Sequence, residues 1–157
     1  MELDQFDASL LNVLQMDNLT TGQRLSELTN LSPASCLRRV QRLRSEGVIV
    51  SDVSVVSPDV LPAQVSVVVL VTIEGEQRGV MEAFRQAVKS APEVRQCYYV
   101  SGEADFVLVV SVASLEKYDD FINRFLREKN IRRFVSLVAL NRVKFDTRVT
   151  VLPTELM

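Results

Sequence analysis

Between residues 32 and 47 the apolar positions Cys36, Leu37, Val40 and Leu43 recur at the spacing of one helical face, while Ser35, Arg38, Arg39 and Arg42 share the opposite arc. The helix declares both its ends. Ser32 suits the N-cap, Pro33 the first helical position, and Gly47 the left-handed residue past the C-terminus. Arg44 falls back on the apolar side, which predicts an ion pair or a stem laid along apolar surface. Just upstream, Thr20 followed by Gln23 has capping-box spacing and opens a short helix with Leu25 and Leu28 inward, and Asn30-Leu31-Ser32 makes a turn. Before it, Asp4 to Met16 carries Phe6, Leu10, Val13 and Leu14 at helical spacing, with Asp4 and Asp7 at the positive end of the helix dipole. Three short helices, the last with a cationic outer face, have the form of a helix-turn-helix head whose final helix enters the major groove. A solvated basic surface is the plainer reading of the same face.

After Gly47 the pattern changes. Val48 to Val56 is β-branched and reads as a strand leading out of the head, a wing or an inter-domain connection. Ser57 to Ala63 holds two prolines and marks a hinge. Beyond it, Val65 to Ile73 reads as a strand and Glu76 to Ser90 as a helix with Val80, Phe84, Ala87 and Val88 inward. Val94 to Val100 and Phe106 to Ala113 read as strands joined by the tight connection Ser101 to Asp105. Ser114 caps a second helix with Leu115, Tyr118, Phe121, Ile122 and Phe125 inward, and a last strand runs from Arg133 to Phe145. Strand-helix-strand-strand-helix-strand gives a ferredoxin-like sandwich with both helices on one face. Val67 to Val71 and Leu108 to Val110 are apolar on both sides, so the other face is expected to be covered by a second copy of the chain.

The fold class is therefore α+β: an N-terminal winged helix-turn-helix in 1–50, a connecting strand and hinge in 51–63, and a C-terminal ferredoxin-like βαββαβ domain in 64–157. With 157 residues, 47% of them hydrophobic, the chain supports two small cores. Its start has no signal-peptide pattern, and the longest apolar run, Val65 to Ile73, is too short to span a bilayer, so no membrane role and a cytoplasmic location are expected. The lack of histidine removes the commonest acid/base catalyst and most zinc ligand sets. No metal, cofactor or catalytic residue is assigned. Cys36 and Cys97 read as small buried hydrophobes, a redox switch being the alternative, and Tyr98 and Tyr99 as one core and one subunit-contact side chain. A formal net charge of −2 means that any nucleic-acid contact must come from a local patch.

Leu3-Asp4 with Asp7, Leu10 and Leu11, then Leu31-Ser32-Pro33 with Arg39, Val40, Leu43, Gly47, Val48 and Ile49, resemble the Lrp/AsnC family of transcription regulators from end to end. Val100-Ser101-Gly102-Glu103-Ala104-Asp105-Phe106 resembles that family's Val-Thr-Gly-x-x-Asp-Tyr loop, and Lys144 stands where the family commonly carries a lysine. The sequence departs from the pattern at Leu61-Pro62-Ala63, where a glycine is usual, and at Thr29-Asn30-Leu31 in the turn. The resemblance implies a regulator that binds double-stranded DNA, dimerises, assembles further to tetramers or octamers, and responds to an amino-acid effector. Ser32, Ala34, Ser35, Arg38, Arg39 and Arg42 are the candidate DNA-contacting residues. Ser101, Gly102, Glu103, Ala104 and Asp105, with Arg133 and Ser136, are the candidate effector residues. Chemically, Gly102 admits backbone N–H groups to a carboxylate and Asp105 suits an ammonium group, although a tight hairpin with Asp105 capping the turn needs the same two residues. The rival classes are an enzyme resembling the siroheme decarboxylases, on the same scaffold, and an architectural DNA-binding protein without an effector.

Overall fold

The computed structural model describes residues 2–57, 60, 64–75, 78–126 and 130–156. It divides into two compact units, Met1–Val55 with Lys144–Met157, and Val56–Val143. The expected hinge residues 58, 59 and 61–63 and the expected helix start at Glu76 lie outside the described residues.

In the first unit, α1 (Gln5–Leu14), α2 (Gly22–Thr29) and α3 (Pro33–Ser45) pack around Leu10, Leu25, Cys36 and Val40, flanked by Val13, Leu14, Leu31 and Ile49. Each helix starts on a side-chain cap. Asp4 accepts from the backbone N–H groups of Phe6 and Asp7, and Ser32 accepts from Ser35 N. For α2 the cap is Thr21, accepting from Arg24 N, rather than Thr20, whose hydroxyl donates to the Asp17 carbonyl. Asn30 ends α2 at φ +56°, doing in the turn what a glycine would, because asparagine tolerates the left-handed region. Two leucines expected inside are half exposed, Leu28 and Leu37, and Thr29 is buried instead, its hydroxyl donating to the Leu25 carbonyl. Leu37 lies over the start of α2, where a Cβ on Gly22 would stand 3.0 Å from Leu37 Cγ.

Residues 48–56 form no strand: 48 and 49 make a bend, and 50–56 follow without regular structure and are exposed. β-branched composition favours extended backbone, but a strand needs a neighbour to complete its hydrogen bonds, and none pairs with 48–56 among the described residues. The final strand also ends early. It leaves the sheet after Val138, and 144–157 belongs to the first unit instead of completing the expected 64–157 domain.

In the second unit β1 (Val65–Ile73), α4 (Arg78–Ser90), β2 (Val94–Tyr99), β3 (Phe106–Val112), α5 (Leu115–Phe121, continued by a π-helical turn Ile122–Leu126) and β4 (Ile131–Val138) build an antiparallel sheet of order β2-β3-β1-β4. That is the ferredoxin-like order. The helices cover one face, where Val67, Val69 and Val71 of β1 and Phe106, Leu108 and Val110 of β3 are buried beneath Phe84, Phe121 and Phe125. Phe84 meets Phe106 with ring centroids 4.8 Å apart. Ser114 caps α5 as expected, but Leu115 is exposed.

The opposite face carries Val68 and Leu70, in register with Val109 and Val107 of β3 and with Leu137 and Val135 of β4. Within this chain nothing covers it among the described residues. On edge strand β2 both tyrosines are exposed, so neither is a core residue: Tyr99 packs its ring 5.2 Å from Phe106 and beneath the Arg85 guanidinium, and Tyr98 lies on the other face. Cys97 is exposed too, against expectation, because β2 is an edge strand. Partial desolvation of its sulfur raises the thiol pKa against the pull of Arg85. No helix among the described residues is long and apolar enough to cross a membrane.

Replacing Phe84 by Ala removes the ring on which α4, α5 and β3 converge, and chemical denaturation of the variant is expected to show a loss of about 3–5 kcal/mol.

Candidate functional site

The outward surface of α3 is built from residues three and four apart. Ala34, Arg38, Gln41 and Ser45 follow one another along one stripe, and all four are exposed. Ser32 and Ser35 are tied together at the helix start, where Ser32 Oγ accepts from Ser35 N at 3.2 Å and donates to Ser35 Oγ at 2.9 Å. The Arg38 guanidinium forms no ion pair with any described residue. Gln41 was not among the residues singled out from the sequence, although it lies three positions after Arg38 on the same arc. Its amide is a donor and acceptor pair that matches an adenine edge.

Arg39 and Arg42, expected to face outward with Arg38, are turned to α1. Arg39 Nη1 donates to Asp4 Oδ2 at 2.7 Å and to Asp7 Oδ1 at 2.9 Å, and Arg42 Nη2 donates to Asp7 Oδ2 at 2.6 Å. Asp7 is only 1% exposed. A carboxylate that far from water demands cationic partners, and α3 supplies two of them one turn apart. Arg39 also stacks over Phe6 at 5.5 Å, which fixes it further. Its guanidinium pKa is lowered by desolvation but raised more by Asp4 and Asp7, for a net rise. Arg42 keeps 41% of its side chain exposed, so its remaining N–H groups still reach solvent. Arg44 makes the expected ion pair, with Asp52 at 3.0 Å. Asp7 acts as more than a dipole partner. No spacing rule points to its arginines, because the contact spans 32 and 35 residues.

The second candidate cluster lies at the end of β1. Gly102 takes φ +143°, a conformation that favours glycine, and Ser101, Gly102 and Glu103 are exposed. Asp105 is committed to the loop itself: its Oδ2 accepts from Ile73 N at 2.8 Å, its N–H donates to the Val71 carbonyl at 2.9 Å, and its carbonyl accepts from Val100 N at 2.9 Å. The carboxylate therefore caps the end of β1. Thr72 Oγ1 reaches the Glu103 carbonyl at 3.4 Å, and Thr72 is in register with Arg133 on the neighbouring strand. Loop and Arg133 thus meet at the same end of the sheet.

Ser136 does not join them. Three residues on from Arg133 in a strand of period two, it points to the helix face, where its Oγ is 2.6 Å from Tyr118 Oη. Burial raises the Tyr118 pKa and the bond to Ser136 lowers it less, leaving a phenol that stays neutral. Ser136 therefore holds β4 to α5 and drops out of the candidate effector cluster.

Comparison with known proteins places both halves. Residues 3–50 match the model for winged helix-turn-helix DNA-binding domains, and residues 66–149 match the Lrp/AsnC ligand binding domain. An uncharacterized HTH-type transcriptional regulator of Sinorhizobium fredii is 41% identical over 92% of this chain and 86% of its own. The crystal structure of an AsnC family transcriptional regulator from Agrobacterium tumefaciens is similar at 30% identity and a TM-score of 0.85, covering 99% of each chain. A transcriptional regulator from Neisseria meningitidis, solved as its L-Met complex, is similar at 27% identity and a TM-score of 0.83, again over 99% of each chain.

The Asp4 carboxyl is raised by desolvation but held below its ordinary 3.8 by the Asp7 and Phe6 N–H groups and by Arg39. A depressed carboxylate contributes stability that is present above its unfolded value and lost as the pH falls through the folded one. Acid titration of the head is therefore expected to show stability falling below about pH 4, with a shallower fall in Asp4→Asn.

Proposed function

Because the chain belongs to the Lrp/AsnC family of transcription regulators, a helix-turn-helix head followed by a ligand-binding domain, we propose that α3 reads DNA chiefly through Arg38. Ala34, Ser35 and Gln41 flank it along the groove, and Ser32 contacts phosphate at the helix N-terminus. The observation that carries this reading is the stripe of exposed side chains centred on a guanidinium with no ion-pair partner among the described residues, on a helix whose neighbouring arginines are pinned to α1. Arg39 and Arg42 set the angle of the helix, and Arg42 retains N–H groups for a backbone phosphate.

The apolar sheet face of Val68, Leu70, Val107, Val109, Val135 and Leu137 supports a homodimer formed through sheets, with further assembly to a tetramer or octamer. Two-fold symmetry would place the recognition helices in successive major grooves, about 34 Å apart on a pseudo-palindromic operator. The effector is an amino acid received at the loop 101–105, where N–H groups around Gly102 would take the carboxylate and Arg133 lines the approach. The L-Met complex of the Neisseria protein supports that ligand class. Asp105, already bonded to Ile73, would shape the loop more than it holds the ammonium group. The protein's task is binding and regulation in the cytoplasm, without catalysis.

Arg38→Ala is expected to weaken operator binding by about 1–3 kcal/mol, read by fluorescence anisotropy, with sedimentation of the oligomer unchanged. Unaltered affinity would overturn the assignment of Arg38. Thermal-shift screening of the purified protein with the twenty amino acids is expected to give a rise in Tm with at least one of them, since a ligand that binds the folded state stabilises it by mass action. A flat screen would favour a regulator without an amino-acid effector.

A further inference from the structure

The C-terminal segment is held on α1 in a way that neither DNA binding nor effector binding uses. Asn12 Nδ2 donates to the Val151 carbonyl at 2.9 Å while its Oδ1 accepts from Val151 N at 3.0 Å. Gln15 repeats the arrangement on Val149, its Nε2 donating to the carbonyl at 2.9 Å and its Oε1 accepting from the N–H at 2.8 Å. At the other end Thr154 N donates to the Leu3 carbonyl at 2.9 Å, and Leu3 N donates to Thr154 Oγ1 at 2.8 Å. Each side-chain amide supplies to one residue the donor and acceptor that a neighbouring strand would supply to it.

The spacing is matched. Residues 12 and 15 are separated by about 4.5 Å along a helix. Residues 149 and 151 are separated by roughly 6.6 Å along an extended chain, and the extra methylene of Gln15 helps to span the difference. Asp146 shapes the approach, accepting from Arg148 N at 3.0 Å and from the Arg148 guanidinium, so the chain enters the docked stretch through a local turn.

What is gripped is backbone. Val149 is 67% exposed and Leu152 45%, with only Val151 and Pro153 partly buried, so little apolar burial fixes the segment, and three of these six hydrogen bonds are open to water. Contacts of that kind make a reversible attachment. The segment follows β4 directly in the chain, through residues 139–143.

We propose that the outer face of α1 is a docking surface for an extended peptide, that its occupant is the chain's own segment 149–154, and that this strap is a second tether between the DNA-binding head and the ligand-binding domain. With the linker 51–63 as the first tether, a docked strap restricts the positions the head can take. It raises the effective concentration with which a second head meets its half-site once the first is bound. The inference rests on the regulator reading above, and it adds Asn12, Gln15 and Thr154 as positioning residues that touch no DNA.

The test uses the full-length oligomer, a fragment recovered by genomic binding-site selection, and the same fragment with one half-site scrambled. Asn12→Ala/Gln15→Ala and, separately, a chain ending at Thr147 are compared with the wild type. In the double variant the Val149 and Val151 amides are expected to lose hydrogen-exchange protection. Both variants are expected to bind the two-site fragment about fivefold more weakly or worse, and the one-site fragment within about twofold of wild type. Equal weakening on both fragments would mean a damaged head, and unchanged binding on both would mean a tail without influence. Either result overturns the strap, as does retained protection in the double variant. A wild type that binds neither fragment overturns the regulator reading itself, and the strap with it.

Discussion

A carboxylate buried on α1 determines what α3 presents to its surroundings. Asp7 is almost wholly removed from water, and a charge in that position is tolerated only with cations against it. Arg39 and Arg42 meet that demand, and in doing so they fasten the third helix to the first by groups that would otherwise project outward. The arginine face of α3 is thereby divided. One guanidinium, of Arg38, is left exposed, that of Arg42 is partly exposed, and that of Arg39 is held against the carboxylates. The three-helix core of Leu10, Leu25, Cys36 and Val40 is small, so a rigid polar brace across its surface matters more than it would in a larger domain.

The second unit is organised by a different constraint, the two-sidedness of a valine-rich sheet. One side is sealed by α4 and α5 through stacked phenylalanines, and the other, with Val68, Leu70, Val107, Val109, Val135 and Leu137, has no cover among the described residues. The same strands also place the loop 101–105 and Arg133 at one end of the sheet, tied through Thr72. That end of the sheet, set by β1, the edge strand β4 and the adjoining loop, lies beside the apolar face, so the proposed effector site and the proposed subunit contact would share the same strands.

Features decided by neighbouring residues were legible in the sequence. The caps at Ser32 and Ser114, the terminating Gly47 and the inward periodicity of Phe84 and Val88 are all local, and the strand order followed from element order. The misreadings concern contacts that close over long separations. Helical spacing placed Leu28 and Leu37 inside, but the head is too small to bury every residue of an apolar arc. A helical wheel put Arg39 outside because it carries no information about a carboxylate 32 residues away. Residues 48–56 and 140–145 have strand composition but form no strand, and Ser136 groups with Arg133 by sequence proximity although strand periodicity puts them on opposite faces. In the candidate sites, Gly102 and Arg38 were readable from residue type and arc. The commitment of Asp105 to a backbone N–H was open to either reading until its geometry was known.

The uncovered sheet face also has a bearing on the life of the polypeptide before it regulates anything. A newly made subunit presents branched aliphatic side chains to water over the width of three strands, flanked by the edge strand β2 with Tyr98. Such a surface is adhesive, and solitude is its hazardous state. If the proposed pairing covers it, survival follows mass action: scarce copies stay single and open to proteolysis, so the quantity synthesised sets how much intact protein persists.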